Sequence, residues 1–332
     1  MWHNTLGRTG SQVSALACGS NALRAYDAFT AEIVFNYALD NGITFIETGR
    51  MYNEGKTEQW IGKSVSHRRD EYVLASKCMG RASYEEAARE IDESLEALQT
   101  DHIEHYRLAG MDTQEALAQA LSPDGAQRAV EEAREAGKVS YTGITGHRPE
   151  VLIAALETGR FDTVLFVLNM VTYNEQNRRL IRLAADLGVG MMVMRPLDHG
   201  VLRPDPALRF ALASGVDTVL CGMYSPLEID RNLTSAGAEP NERERASLRQ
   251  EAEALSVDFG QRLSEFEREF SNLANLYVAS SQLHSTMSPR AVTRRIKDIV
   301  RGLGTFARVE KDRLTPVNVN YVIECAVNMA YN

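Results

Sequence analysis

Eight short apolar segments, each followed by a longer segment of helical periodicity, run through the first 236 residues of this 332-residue chain. Unbroken apolar character, as in the segment DTVLFVLN, is typical of parallel strands that are covered on both faces. The intervening stretches, such as residues 84–99, repeat apolar side chains every three or four positions and so indicate helices. The apolar segments cover residues 13–19, 43–48, 72–77, 102–109, 139–145, 162–169, 188–194 and 217–223.

Strict alternation of strand and helix predicts parallel β-α-β units. Eight such units in succession predict a closed (β/α)8 barrel, the TIM barrel of the α/β class, whose usual size of about 250 residues agrees with a domain over residues 1–240. In such barrels the active site lies at the carboxyl ends of the strands. Candidate functional residues are therefore expected at those ends.

The sequence changes character after residue 240, and residues 241–332 are predicted to form a C-terminal α-helical extension. Its first part carries an apolar stripe with steps of three or four residues, which predicts one long helix. Such a stripe fits a coiled coil, and hence a homodimer through residues 248–277, as well as a helix folded back onto the barrel. The stripe consists of Leu248, Ala252, Leu255, Phe259, Leu263, Phe266, Phe270, Leu273 and Tyr277.

Composition excludes several classes of function. Thirty-six Lys and Arg against 45 Asp and Glu give a net charge of −9, which opposes binding to nucleic acid. No apolar run is long enough to span a membrane and the N-terminus lacks an apolar leader, so a cytoplasmic protein without a membrane partner is expected. The four cysteines lack metal-binding spacing, and no metal site is predicted.

Three ionisable residues lie at the ends of successive predicted strands: Glu47 after the second, Tyr52 in the same loop and Lys77 after the third. A tyrosine, with its ordinary pKa near 10, donates a proton poorly at neutral pH unless a nearby cation favours its anion. Lys77 can supply that cation and Glu47 can hold it in place, which would make Tyr52 a general acid for a carbonyl oxygen. Each residue type is common on surface loops, so the shared placement carries this hypothesis.

Short motifs throughout the predicted barrel follow the pattern of one known family. They are residues 6–10 (LGRTG), 13–14 (VS), 38–48 (ALDNGITFIET), 58–62 (EQWIG), 75–77 (ASK), 94–95 (SL), 100–101 (TD), 137–139 (GKV), 143–144 (GI) and 225–226 (SP), with Tyr52, Gly222 and Asn232. Through them the chain resembles the aldo-keto reductases over about residues 5–240. That resemblance implies reduction of a small aldehyde or ketone with NADPH or NADH, without a metal. Tyr52 then matches the family's proton donor, Lys77 its partner, and Glu47 the position of the family's aspartate.

The same resemblance implies a cofactor that lies across the strand ends. Gly222 and Glu228 stand where many NADPH-preferring relatives carry basic residues, and a carboxylate repels a 2′-phosphate, which favours NADH or dual use. The residues that match the cofactor contacts are Gly19, Ser20, Asn21, Thr145, Asn169, Arg195, Pro196, Leu197, Gly222, Met223 and Asn232.

Two departures from the family pattern concern the chemistry. The family's histidine at the end of the fourth strand is Ala109 here, and Glu47 is one methylene longer than the aspartate it replaces. His105 lies four residues earlier, about 13 Å back along the strand, and cannot take over. By analogy with an oxyanion donor, the missing imidazole would lower the rate by about 10²- to 10³-fold.

These departures leave an alternative to the reductase: a catalytically impaired, cofactor-binding barrel that acts as a sensor or interaction module through its helical tail. Residues 270–303 resemble the entry helices of GAF-type sensory domains. Only about sixty residues follow Phe270, too few for a complete domain of that type, so a partial segment is expected.

Overall fold

The computed structural model of this chain describes residues 1–282. A two-stranded antiparallel hairpin, β1 (His3–Thr5) and β2 (Gln12–Ser14), comes first. Eight parallel strands then close into a barrel in which neighbours follow chain order and the last strand pairs with the first. This confirms the predicted (β/α)8 barrel. The barrel strands are β3 (Leu16–Gly19), β4 (Phe45–Glu47), β5 (Val73–Met79), β6 (Ile103–Ala109), β7 (Val139–Gly146), β8 (Thr163–Val167), β9 (Gly190–Met194) and β10 (Thr218–Gly222).

Helices cover the outside of the barrel, and their starts carry the expected signals. Asp27 caps the first helix, and Ser83 and Glu86 form a reciprocal capping box at the third. Two helices rather than one join β6 to β7. The helices are α1 (Ala28–Asp40), α2 (Lys56–Val65), α3 (Tyr84–Leu98), α4 (Gln114–Ala120), α5 (Ala126–Glu135), α6 (Pro149–Glu157), α7 (Glu175–Asp186), α8 (Pro204–Ala213), α9 (Pro226–Ala236) and α10 (Glu242–Gln282).

The first predicted strand, residues 13–19, is divided between two elements. Val13 and Ser14 belong to the hairpin, and the barrel strand begins only at Leu16. The hairpin closes the amino-terminal end of the barrel, because Leu6 and Val13 are fully buried in the barrel interior and the Gly7 amide donates to Asp217. A continuous apolar run did not reveal this break, since both pieces are buried.

Alternation along each strand decides which side chains enter the barrel. Phe45, Ala75 and Leu165 form part of one buried cluster inside it, whereas their strand neighbours pack outward against the helices. Because side chains two residues apart share a face of a strand, Glu47 and Lys77 also point inward, nearer the carboxyl ends. The barrel interior thus changes from apolar at its base to charged towards its mouth.

Helix α10 begins two residues beyond the predicted boundary and packs its first turns against the barrel. Ala252 is fully buried, and Leu248 and Leu255 pack against the main core. Arg209 on α8 forms an ion pair with Glu244. For these turns the helix is folded back onto the barrel, as one of the two expected arrangements requires. The homodimer through residues 248–277 stays a prediction.

Two further expectations concern the tail and membranes. The region of GAF-like resemblance extends to residue 303 and lies largely outside the described residues. Within residues 1–282, no helix is both long and apolar enough to cross a membrane.

Candidate active site

The structure brings Glu47, Tyr52 and Lys77 together at the mouth of the barrel. Strand register places Glu47 beside Ala75, so Lys77 projects two residues further towards the carboxyl ends. The Lys77 ammonium contacts Glu47 Oε1 and donates to the carbonyl oxygen of Thr48 at 2.8 Å. Its nitrogen lies 4.2 Å from the centroid of the Tyr52 ring. This is a cation–π contact between the predicted acid and its predicted partner.

A glycine makes room for the Lys77 side chain. A Cβ atom on Gly49 would lie 2.8 Å from Lys77 Cγ and 2.8 Å from Met51 Sδ, closer than real Cβ contacts allow. The loop after β4 therefore approaches the lysine stem through its bare backbone. With 3% of its surface exposed, Lys77 is held almost entirely inside the protein.

Tyr52 begins a tight turn whose backbone is strained. Asn53 and Glu54 have φ angles of 50° and 56°, and Gly55 follows with a φ of 81°. Left-handed backbone costs a residue with a side chain about 1–2 kcal/mol. Asn53 and Glu54 bear this cost, whereas Gly55 adopts the conformation freely, and together they connect Tyr52 to α2. Strain of this kind is common where a side chain must be held for function.

Burial lowers the pKa of Lys77 from 10.5 to about 8. That value includes the effect of the Glu47 carboxylate, which raises this pKa, and that of the neighbouring Arg107 charge, which lowers it. At neutral pH the side chain remains mostly protonated, because about 8 lies above 7. The site therefore holds a cation over the Tyr52 ring, which is the electrostatic condition that the general-acid hypothesis needs.

Arg107 is the charged residue of this site that the sequence reasoning missed. It is fully buried inside the barrel, and its Nη2 donates to Glu47 Oε1 at 2.8 Å. A signal was present, because an arginine in the middle of a buried strand is unusual and its position two residues before Ala109 puts both on one face.

The structure agrees with the sequence about the missing imidazole. Ala109 ends β6 near the mouth, whereas His105 is fully buried near the base, where its Nε2 lies 3.2 Å from Ser11 Oγ. Burial lowers the pKa of His105 to about 3, so this ring is neutral. A different histidine, His147, follows β7 at the mouth, and its ring and amide contact Asp112.

The predicted cofactor contacts all lie at the carboxyl ends of the barrel strands or in the segments that follow them, and they differ in exposure. Asn21, Arg195 and Gly222 are exposed, whereas Met223 is fully buried. The Asn169 side chain stabilises its own loop, since its Oδ1 accepts from two backbone amides and its Nδ2 donates to the carbonyl oxygen of Arg195. The Asn232 amide donates to Cys221 Sγ at 3.4 Å.

Three buried hydroxyl groups near the mouth fit a polar ligand. Ser20, Thr48 and Thr145 lie at or just after the ends of β3, β4 and β7, and their hydroxyl oxygens have no hydrogen-bond partner among residues 1–282. Buried polar groups are normally hydrogen-bonded, so such orphans call for an outside partner. Hydroxyl and amide groups suit a nicotinamide cofactor, which presents an amide and several hydroxyls. Among residues 1–282 no cluster of His, Cys, Asp and Glu could hold a metal ion.

Sequence comparisons agree with this description. The model of the Aldo/keto reductase family matches residues 15–206. An uncharacterised oxidoreductase of Bacillus subtilis, YrpG, is 32% identical over 228 residues, which are 61% of this chain and 68% of that protein. The L-galactose dehydrogenase of Arabidopsis thaliana is 29% identical over 215 residues, or 59% of this chain and 66% of that protein. The matched segment thus spans about two thirds of each of these relatives.

Comparison with solved structures supports the same fold. The aldo-keto reductase AKR11C1 from Bacillus halodurans, in its holo form, superposes with a TM-score of 0.67 and 24% identity. The superposition covers 77% of this chain and 96% of the AKR11C1 chain. At that level of identity the likeness concerns the fold alone.

Proposed function

This chain belongs to the aldo/keto reductase family, and from that membership we propose that it reduces the carbonyl group of a small aldehyde or ketone, with Tyr52 as general acid. One observation carries the assignment of Tyr52. The Lys77 ammonium, buried and held by Glu47, lies 4.2 Å from the centre of the Tyr52 ring. A phenol beside a fixed cation at the mouth of a barrel suits proton transfer to a developing alkoxide.

The residues divide the work as follows. Tyr52 donates its proton to the carbonyl oxygen while the carbonyl carbon accepts a hydride. Lys77 favours the phenolate that remains, because its charge lies over the ring into which that anion delocalises. Glu47 and the Thr48 carbonyl hold the ammonium in this position. A nicotinamide cofactor supplies the hydride when bound.

Residues at the strand ends would hold that cofactor. Ser20 and Thr145 offer buried hydroxyls that have no hydrogen-bond partner in the described part of the chain, and Asn21 and Arg195 are exposed at the same face of the barrel. The Glu228 carboxylate accepts from the Tyr224 amide at 2.9 Å, at the start of α9. A negative charge there repels a 2′-phosphate, which supports NADH or dual use over strict NADPH dependence. Glu228→Gln should therefore improve NADPH use more than NADH use, as kcat/KM for each cofactor would show.

The comparisons do not favour the alternative of a barrel that works only as a sensor or interaction module. The relatives carry names such as oxidoreductase and dehydrogenase, and the family match covers the barrel rather than the tail. Because Ala109 replaces the family histidine, the carbonyl oxygen lacks one hydrogen-bond donor. We therefore expect slower turnover than in relatives that retain the histidine.

Single-turnover mixing with NADH or NADPH and a panel of small aldehydes tests this function. The wild type should oxidise the cofactor, and Tyr52→Phe should lower the rate by about 10²- to 10⁴-fold, the usual contribution of a general acid. Cofactor binding, followed by fluorescence quenching, should survive in that variant. Tyr72→Phe, at the opposite end of the barrel, is the matched control and should keep the wild-type rate. Absence of cofactor oxidation by the wild type between pH 6 and 9 would refute the proposal.

A further inference from the structure

Arg107 is fully buried inside the barrel, next to Lys77, the partner of the proposed acid. Arg107 projects inward from the middle of β6, beside Lys77 on one neighbouring strand and Gly143 on the other. A Cβ atom on Gly143 would lie 2.6 Å from Arg107 Cγ and 2.3 Å from Thr163 Oγ1. The barrel therefore accommodates this large side chain through a glycine in the adjacent strand.

Arg107 and Lys77 share one oxygen atom. Arg107 Nη2 donates to Glu47 Oε1, the same atom that the Lys77 ammonium contacts. The other contacts of the guanidinium are weak: Nη1 lies 3.2 Å from Met192 Sδ, and the buried Nε has no hydrogen-bond partner within residues 1–282. The positive charge of Arg107 is thus compensated only by a carboxylate oxygen that Lys77 also contacts.

A charge count gives an excess of one positive charge. Glu47 is a single carboxylate between two cations. The other buried carboxylate near Lys77 belongs to Glu58, which accepts from Ser76 at 2.6 Å and pairs with Arg50 at 3.5 Å. Arg50 also pairs with Glu93 at 2.8 Å, and Glu58 is the last of the groups that act on the pKa of Lys77. The excess of one positive charge is therefore counted at the shared Glu47 oxygen. A buried excess charge is costly, so its retention calls for a reason.

We propose that Arg107 is a positioning residue of the proton-transfer site: by sharing the Glu47 carboxylate with Lys77, it fixes that carboxylate and leaves a net positive charge beneath the Tyr52 ring. The inference rests on the proposed function of Tyr52. In this arrangement the longer Glu47 side chain reaches both cations. The extra charge favours the anionic form of Tyr52 and makes it a stronger acid.

The electrostatics of the neighbouring groups agree with this role. Arg107 lowers the pKa of Lys77. Burial lowers the pKa of Arg107 itself, and the Glu47 carboxylate and the Tyr52 phenolate oppose that shift. Around Lys77, the charged or titratable groups are Glu47 on β4, Tyr52 in the turn, Arg107 on β6 and Glu58 on α2. Removal of Arg107 therefore leaves Lys77 paired one-to-one with Glu47, and raises the pKa of Lys77 as well as that of Tyr52.

The first measurement uses cofactor-free protein and needs no turnover. Tyrosine labelled with ¹³C at Cζ gives a resonance for Tyr52, identified by its loss in Tyr52→Phe. That resonance senses ionisation of the phenol and of the ammonium over its ring, so its titration should shift to higher pH in Arg107→Met. Arg107→Lys keeps a charge and should remain near the wild type. Arg69→Met removes an arginine that pairs with Glu104 at the opposite end of the barrel, and should shift nothing.

The second measurement is the pH profile of carbonyl reduction. Arg107→Met should lower kcat/KM at pH 7 by up to about tenfold, because one pKa unit changes the strength of the acid tenfold and the rate follows that strength only in part. It should also move the alkaline limb of the profile to higher pH, because Lys77 keeps its proton longer. A merely structural role would lower the rate without moving the limb.

The two proposals fail in different ways. If Arg107→Met leaves the Tyr52 titration unchanged, the role of Arg107 is wrong even where turnover is observed. If the titration shifts but the wild type reduces no aldehyde, Arg107 acts on Tyr52 as inferred and the proposed function is wrong. Should Arg107→Met not fold, Arg107→Gln with the same titration decides the matter.

Discussion

At the residue scale, the site depends on one carboxylate that serves two cations. Glu47 holds both Lys77 and Arg107 inside the barrel, where none of the three is more than 3% exposed. Ions in such surroundings need partners, since removal of one member of a buried pair costs about 3–5 kcal/mol. Removal of these residues should therefore affect stability unequally. Loss of either cation leaves one ion pair, whereas loss of the carboxylate leaves two unpaired cations.

This asymmetry predicts the stabilities of two variants. Glu47→Gln should lower the free energy of unfolding by about 3–5 kcal/mol, because it strands two buried charges. Lys77→Met should change it by less than about 2 kcal/mol, since Glu47 stays paired with Arg107 and a buried ammonium is removed. Urea unfolding at pH 7 measures both. Equal losses in the two variants would contradict the shared-carboxylate arrangement.

A second prediction at this scale concerns the missing imidazole. Ala109 is 7% exposed at the mouth end of β6, where the family pattern places a histidine. Ala109→His should raise kcat/KM by about a hundredfold, because it restores a donor to the carbonyl oxygen. Ala109→Leu is the control for side-chain size and should not raise the rate. If the histidine variant gains nothing, the site has adapted to work without an imidazole.

At the element scale, the loops at the carboxyl ends of the strands carry the backbone strain. Apart from Gln99, which caps the end of α3, every residue other than glycine with positive φ within residues 1–282 lies in the loop after β4 or the loop after β9. The second loop holds Arg195, Asp198 and His199 in this conformation. Strand ends that are fixed by the barrel can support such turns, which explains why they collect at the proposed site.

The turn after Tyr52 offers a test of this idea. Glu54→Gly should raise the free energy of unfolding by about 1 kcal/mol relative to Glu54→Ala, because glycine adopts the φ of 56° without strain. The same change frees the turn and should lower kcat severalfold, whereas Glu54→Ala should keep the wild-type rate. Thermal unfolding and steady-state kinetics on the two variants make the comparison. Equal stability of the two variants would show that this turn stores no strain.

At the scale of the whole molecule, helix α10 ties the segment after residue 240 to the barrel. Ala252 is fully buried against it, whereas Val257, little more than one turn later, is 61% exposed. Arg178 on α7 adds an ion pair with Glu253 at 3.1 Å. The helix therefore presents one face to the barrel and another to solvent over these turns.

This arrangement predicts different effects for the same substitution at two positions. Ala252→Asp should release α10 from the barrel, because burial of a carboxylate at this contact removes its hydration at a large cost in free energy. Val257→Asp introduces the same carboxylate on the solvent side and should leave the helix docked, and Ala252→Ser tests separately whether the loss of helix propensity at residue 252 is enough to release it. Limited proteolysis of residues 241–282 measures docking. Equal protease resistance of the two variants would show that the barrel does not hold this helix.

Much of this molecule follows from local pattern. Buried parallel strands and amphipathic helices can be recognised from the spacing of apolar residues, because the burial of each side chain depends on its place in the repeat. The closed barrel follows from eight such units, and it brings Glu47, Tyr52 and Lys77 to one mouth because parallel strands end at the same side. For that reason the sequence alone could predict the fold and the three residues of the proposed site.

Other features depended on contacts between distant segments. Arg107 lies against Glu47 only because of the register between strands and the space left by Gly143, and neither is encoded near residue 107. The break between β2 and β3 was hidden because both pieces are buried. The apolar stripe of residues 248–277 likewise does not indicate which surface covers it. Only the tertiary structure showed that the start of α10 packs on the barrel. Sequence determined which side chains are buried, and the folded chain determined which of them meet, because pairing across strands is a property of the closed barrel.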